Sequence, residues 1–213
     1  MKLQVDEFSN LLKRGADVLD TRSVEDFKAG FIPSAINIPL NRVKDWGSLL
    51  FKKGDPILLI TETGQQEEAA KVLTTAGFSN IAGYLEGGFT AWQNAGKTTD
   101  MIIDVEPDEL MMDIPFDCNL VVVDVRNPIE YAEGHLKNAM NFPLSEISDP
   151  LKIARFNDND NIYLHSGSGT RSVIAASVLK KHGLHNLRNV VGGWNSVKEE
   201  PKAAIVKEPE VLN

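Results

Sequence analysis

Short apolar runs alternate with amphipathic stretches along the whole chain. In the second half, "LVVVDV" from Leu120 and "NIYLH" from Asn161 are short, mostly apolar and rich in strand formers. Such runs predict strands inside a sheet covered on both faces. "PIEYAEG" predicts a short helix stopped at Gly134, and "AMNFPL" a short extended segment. "RSVIAASVLKKHG" predicts a helix closed by Gly183, and "LRNVV" a last strand before "GGW". Alternation of this kind predicts an α/β fold with a parallel sheet flanked by helices.

The pattern occurs twice. "VLDTRSVEDFKAGFIPSAINIPL" from Val18 and "VVVDVRNPIEYAEGHLKNAMNFPL" from Val121 align at an offset of 104 residues, fixed on Arg22 and Arg126. Asp20 then meets Asp124, Phe27 meets Tyr131, Asn37 meets Asn141 and Pro39 meets Pro143. "PILLITETGQQEEAAKVLTTAGFSNIAGYLEGGFTAW" matches "NIYLHSGSGTRSVIAASVLKKHGLHNLRNVVGGW" in the same order. The chain is therefore a tandem repeat, with domains expected at 1–97 and 101–213. "VDEF" and "VEPDEL" open the two copies, each as a strand turning into a capped helix. The polar join "NAGKTTD" reads as a short linker, and the charged tail from Lys198 as a loosely packed, solvated end around Glu199 and Glu208.

Composition narrows the partners. The net charge is −8 with no basic stripe, which argues against nucleic acid and anionic membrane surfaces. No apolar run reaches the roughly 18 residues of a membrane span. "MKLQVDEFSN" has no apolar signal core, so a cytoplasmic location is expected. The single cysteine, Cys118, excludes an internal disulfide and a cysteine-rich metal site; no metal or cofactor is expected.

The stretch "SGSGTRS", Ser166 to Ser172, leaves a strand and enters a helix. A helix start carries unpaired N–H groups and partial positive charge, and Gly167 and Gly169 permit close backbone approach. Gly167, Ser168, Gly169, Thr170, Arg171 and Ser172 thus form a candidate nest for an anion. A thiolate at its first position would have a lowered pKa. That position holds Ser166.

The pattern D-x-R-x-x-x-[DE]-[FY]-x-x-G, then A-x-N-x-P, then strand–loop–helix, then G-G-[FW], resembles the rhodanese family across almost the entire chain, twice. The resemblance implies two parallel five-stranded α/β domains. It also implies transfer of sulfane sulfur through a persulfide on a loop cysteine, with thiosulfate or a persulfide as donor. The first copy is similar, too, to rhodanese modules that follow a metallo-β-lactamase-fold domain in bacterial fusions, which implies a partner of that fold. The five positions from Ser166 to Arg171 are one fewer than in cysteine phosphatases of this fold, which favours sulfur over phosphate chemistry.

Serine cannot hold a transferable sulfur, and it needs an adjacent base to be activated. His165 precedes it, but neighbours on a strand face opposite ways, so His165 reads as a packed residue. The second copy is then an inactive or much weakened sulfurtransferase scaffold, its cysteine lost naturally or by replacement. The alternative is a non-catalytic oxyanion- or protein-binding module; a phosphatase-like hydrolase is a third reading. In the first copy Thr61 takes the nucleophile position and Gln66 falls near the arginine. Its helix appears one residue early, implying a shortened loop, and Glu62, Glu67 and Glu68 crowd the mouth. That copy is expected to be non-catalytic. Asp124 and Arg126 stand as supporting residues. Arg126 either orients anions or pairs with Glu130, as Arg22 would with Asp26. Arg171 binds the anion or pins the loop through a carboxylate. Cys118 is expected as a small apolar filler, Trp92 and Trp194 as packing residues, and His135 as a structural residue near the surface.

Overall fold

A computed structural model describes residues 1–208. The chain divides into two compact units, Met1–Met101 and Ile102–Asn213. The first contains β1 (Lys2–Leu3), α1 (Val5–Lys13), β2 (Asp17–Asp20), α2 (Val24–Ala29), β3 (Ile36–Asn37), α3 (Val43–Leu50), β4 (Ile57–Ile60), α4 (Gln66–Thr75), β5 (Ile81–Leu85) and α5 (Gly88–Asn94). The second contains β6 (Ile103–Val105), α6 (Pro107–Asp113), β7 (Leu120–Asp124), α7 (Pro128–Glu133), β8 (His135–Leu136), β9 (Met140–Asn141), α8 (Pro150–Ile153), β10 (Asn161–His165), α9 (Thr170–Lys181), β11 (Leu187–Val190), α10 (Trp194–Val197) and β12 (Ile205–Val206).

Each unit has a parallel five-stranded sheet, ordered β1-β5-β4-β2-β3 in one and β6-β11-β10-β7-β9 in the other. The parallel α/β architecture is the one the alternation predicts, and two sheets of five strands are what the resemblance implies. The central strands are the most apolar because both faces are covered: every residue of β4 is buried, as are Ile162, Tyr163 and Leu164 of β10. In the second unit Val105, Leu110, Val122, Leu136, Tyr163, Val190 and Val197 share one core. Register places the functional edge. His165 lies beside Asp124, and Asn161 beside Leu120, so the residue after β10 and the residues after β7 leave the sheet on the same side. In parallel sheets, ligands gather at that carboxyl edge.

The short polar join is tied down: Phe31 and Asp100 exchange backbone hydrogen bonds of 2.9 and 3.0 Å, and Trp92 Nε1 donates to Thr98 O at 2.8 Å. The tail departs from the loosely packed end expected of it. β12 pairs antiparallel with β8, Lys137 N donates to Ala204 O at 2.7 Å, and Glu208 N donates to Ala132 O at 3.0 Å. Phe31 and His135 occupy equivalent places, so each copy ends by folding back onto the segment after its second helix. Charge and proline disguised this in the sequence, because an edge pairing uses only main-chain groups. The segment beyond 208, including Pro209, lies outside the described residues. Among the described residues no helix is long and apolar enough to cross a membrane.

Truncation after Lys198 is expected to remove these tail bonds and to cost about 2–3 kcal/mol, at about 1 kcal/mol per hydrogen bond. Urea unfolding of the truncated chain measures it; an unchanged midpoint would show that the tail adds nothing.

Candidate active site

The carboxyl edge is built on a buried ion pair. Arg126 Nε donates to Asp124 Oδ1 at 3.0 Å and Nη2 to Oδ2 at 2.6 Å, while Nη2 also donates to Gly134 O at 2.7 Å. Asp124 and Arg126 are 0% and 3% exposed, so the pair is desolvated and must satisfy itself. The Arg126 guanidinium lies 4.4 Å from the centre of the Trp194 ring. Asn141 Nδ2 donates to the carbonyls of Asp124 and Arg126 at 3.0 and 2.9 Å, fixing the turn after β7. The expected Arg126–Glu130 pair is therefore absent: two residues along the strand end put the Asp124 carboxylate closer than one turn of helix puts Glu130. The first copy agrees. Arg22 pairs with Asp20 at 2.6 Å and lies under Phe89, and Asp26 instead meets the capping residue Ser23.

Glu130 takes a different partner. Arg171 Nη1 and Nη2 donate to its two carboxylate oxygens, each at 2.7 Å. The Glu130 carboxylate also accepts from Asn127 N at 3.1 Å, and Asn127 Oδ1 accepts from Glu130 N at 2.9 Å. Of the two roles open to Arg171, the geometry shows the carboxylate one. The guanidinium lies against the loop, since a Cβ on Gly167 would sit 3.1 Å from Arg171 Nη2. These hydrogen bonds hold the Glu130 carboxyl below the ordinary carboxylate range, against a smaller opposing effect of burial.

Ser166 lies at the foot of the loop, 1% exposed, and its Oγ accepts from Gly169 N at 3.1 Å. Ser168 is exposed at the rim, and Gly167, Gly169, Thr170 and Arg171 are half-buried. Among the described residues no acceptor engages the amides of Gly167, Ser168, Thr170, Arg171 or Ser172, as expected of a loop entering a helix. The loop's carbonyls are clamped from the other side. Ser166 O accepts from Trp194 N at 2.6 Å and Gly167 O from Asn195 N at 3.1 Å. Gly193 makes that approach feasible: its φ is 58°, and a Cβ there would overlap the Ser166 carbonyl oxygen. Beneath the loop, Ser172 Oγ lies 2.7 Å from Asn189 Oδ1, and Asn189 Nδ2 donates to Asp104 Oδ1 at 2.7 Å.

His165 is fully buried, and burial pushes its imidazole below the ordinary histidine range. Nε2 lies 3.8 Å from Asp124 Oδ2, and Ser166 Oγ makes no hydrogen bond with the ring. A serine–histidine relay is absent, as strand alternation predicts. Trp194 packs over Arg126 and Trp92 is buried, so both are packing residues. His135 is buried, stacks on Tyr131 at 3.7 Å, and its Nδ1 lies 2.9 Å from Tyr131 O. Cys118 corrects the expectation of a buried filler: it is exposed. It precedes β7 at the opposite edge of the sheet from Ser166, a strand length of about 16 Å away.

The first copy's loop differs, but not by shortening. Five residues separate β4 from α4, and four separate β10 from α9, so the loop is one residue longer. Thr61 Oγ1 donates to Glu62 O at 3.0 Å, and the Glu62 carboxylate accepts from Ser23 N at 3.3 Å. Burial pushes the Asp20 carboxyl up, with Arg22 opposing and Glu62 adding a small rise. The clamp is slack here, since a Cβ on Gly88 would lie 3.6 Å from Thr61 O.

The sequence did not reveal the Arg171–Glu130 pair, the Asn189–Asp104 support or the Gly193–Trp194 clamp. One signal for the last was present: two consecutive glycines one residue after a strand, in both copies, ask for close backbone approach.

A family model described as "Rhodanese-like domain" matches residues 4–95 and again 100–200. The chain belongs to the rhodanese family. It is 30% identical over 101 residues to a candidate sulfur carrier protein of Bacillus subtilis, YrkF, covering 47% of this chain and 54% of that protein. It is 30% identical over 89 residues to a candidate mitochondrial thiosulfate sulfurtransferase of Schizosaccharomyces pombe, covering 37% of this chain and 63% of that one. A thiosulfate sulfurtransferase of Escherichia coli, PspE, is 30% identical over 70 residues, covering 33% and 67%. The chain thus spans 54% and 63% of the first two relatives.

Two tests follow from this rhodanese-like geometry. Gly193→Ala is expected to cost about 1–3 kcal/mol and to shift the amide resonances of Ser166 and Gly167, because strain and overlap combine. Gly88→Ala, strained but not overlapping, is expected to cost less; equal losses in denaturant titration would contradict the clamp. The second test is pH. The folded-state pKa of Glu130 lies below its ordinary 4.5, so its contribution is full above 4.5 and disappears as pH falls through the lowered value. Glu130→Gln is expected to lower stability by about 0.5–1 kcal/mol at pH 7. At pH 3 the gap should narrow, and a gap constant from pH 7 to pH 3 would contradict the pair's role.

Proposed function

We propose that the second unit is a sulfane-sulfur transferase scaffold in which Ser166 stands at the nucleophile position, so that the chain as written is silent or much weakened. The observation that carries this reading is the Gly169 N–H directed at Ser166 Oγ, at the foot of a loop whose other amides have no acceptor. A sulfur anion in place of Oγ would receive that donor and the partial positive charge of α9. With a cysteine there, the thiolate attacks the outer sulfur of thiosulfate. An S–S bond forms on the protein, the original S–S bond breaks, and sulfite leaves with the electron pair. A persulfide donor serves in the same way, its S–S bond breaking and a thiolate leaving with the electron pair. The first unit, with Thr61, Glu62 and a slack clamp, has no part in the transfer. A metallo-β-lactamase-fold partner, implied by the first copy's likeness to fusion proteins, belongs to the same reading.

A second reading is a binding module that holds an oxyanion without turnover. It is favoured by Ser166 itself, which offers a hydroxyl and no sulfur.

The test uses Ser166→Cys in a Cys118→Ser background. Thiocyanate release from thiosulfate and cyanide is expected at a kcat on the order of 1–10³ s⁻¹, with none from the serine form. A silent cysteine variant that still binds sulfate would favour the binding module.

A further inference from the structure

Among the described residues, both arginines at the loop already have a carboxylate. Arg126 is engaged by Asp124, and Arg171 holds Glu130 through two hydrogen bonds of 2.7 Å. His165 is buried, beside the Asp124 carboxylate, in surroundings that disfavour its charged form. Lys152, also in the second unit, pairs with Glu146. What faces an incoming anion is then a set of backbone N–H dipoles with no net side-chain charge behind it. Attraction to backbone dipoles grows with the charge of the guest, but so does the cost of taking that guest out of water, and an uncompensated cation is what would tip the balance towards a dianion. Glu130 decides this balance. It lies one guanidinium away from the loop backbone, since Arg171 Nη2 sits against Gly167. The first copy has no arginine at this place: Gln66 and Glu67 stand there instead.

Resting on the sulfur-transfer reading above, we infer that Glu130 is a specificity-determining residue that neutralises Arg171 and so selects singly charged sulfane-sulfur donors, such as a thiosulfonate or a low-charge persulfide, over the dianion thiosulfate. The chemistry is the same for both donors. With a cysteine at 166, the thiolate takes the sulfane sulfur, the donor's S–S bond breaks, and sulfite or a sulfinate leaves with the electron pair. Only the charge brought to the loop differs. Glu130 is not a catalytic residue in this scheme, since it acts on the anion through Arg171.

The experiment compares thiosulfate with methanethiosulfonate, a donor with one charge fewer. In the Ser166→Cys protein, Glu130→Gln is expected to raise kcat/KM for thiosulfate relative to methanethiosulfonate about tenfold, chiefly in KM. Glu130→Asp, which keeps the charge, should leave the ratio near its starting value. Arg171→Gln should move it the other way. An unchanged ratio in Glu130→Gln overturns the inference. A second measurement needs no thiol and no substitution. The protein as it stands is titrated calorimetrically with sulfate and with methanesulfonate. Affinities within about threefold of each other support charge neutrality at the loop, and sulfate bound more than tenfold tighter overturns it. If neither donor is turned over by Ser166→Cys, the sulfur-transfer reading falls, and repeating the titration on Glu130→Gln, where sulfate is expected to gain on methanesulfonate, still decides the role of Glu130.

Discussion

Both halves of the molecule are organised around one buried contact, an aspartate at the end of a central strand gripping an arginine two residues on. Asp124 with Arg126 and Asp20 with Arg22 show the same pattern, including the donation from Nη2 to the Gly134 or Gly30 carbonyl. An aromatic ring lies over each guanidinium, at 4.4 and 4.5 Å. Removing one partner of such a pair leaves an uncompensated charge in the interior and costs about 3–5 kcal/mol. The pair fixes the turn after the strand through Asn141 or Asn37, and it holds the ring that follows the glycine pair. The loop after the neighbouring strand emerges between these fixed points. Its shape is thus set by the edge around it as much as by its own residues.

The two copies show what happens when that frame is kept and the loop is released. In the second, Gly193 lets the Trp194 and Asn195 amides reach the loop's carbonyls, while Arg171 and Glu130 tie its far side to α7. In the first, Gly88 stands farther from Thr61, the loop has an extra residue, and Glu62 turns towards Ser23. The ion pair survives in both because it supports the fold. The clamp is tight only in the copy where the Gly169 N–H is directed at the residue at the foot of the loop.

Much of the architecture was legible because it rests on patterns that sequence carries directly. Buried parallel strands demand apolar runs, and duplication doubles every signal. Asp124, Arg126 and Asn141 were visible as repeated motif positions, but their partners were not. Pairing with Glu130 is one of two roles the sequence leaves open to Arg126, whereas the carboxylate two residues away on the extended strand end is the one it meets. The pairing of the tail is invisible in the sequence because edge pairing leaves no trace in side-chain periodicity. Cys118 was read as buried from residue type alone; its position in a turn before β7, rather than its chemistry, exposes it. The loop was legible as a candidate anion nest because strand, glycines and helix occur in that order. Which carboxylate would meet Arg171 depends on α7 and α9 being brought together, and no local pattern encodes that.

The central claim is that the amides around Ser166 form one anion-directed nest in the second unit and none in the first. Amide NMR shifts during sulfate titration test it most directly. The account predicts saturable shifts at Gly167 to Ser172 with a common affinity, and flat responses at Glu62 to Gln66. Equal shifts in both loops, or none in the second, would contradict it.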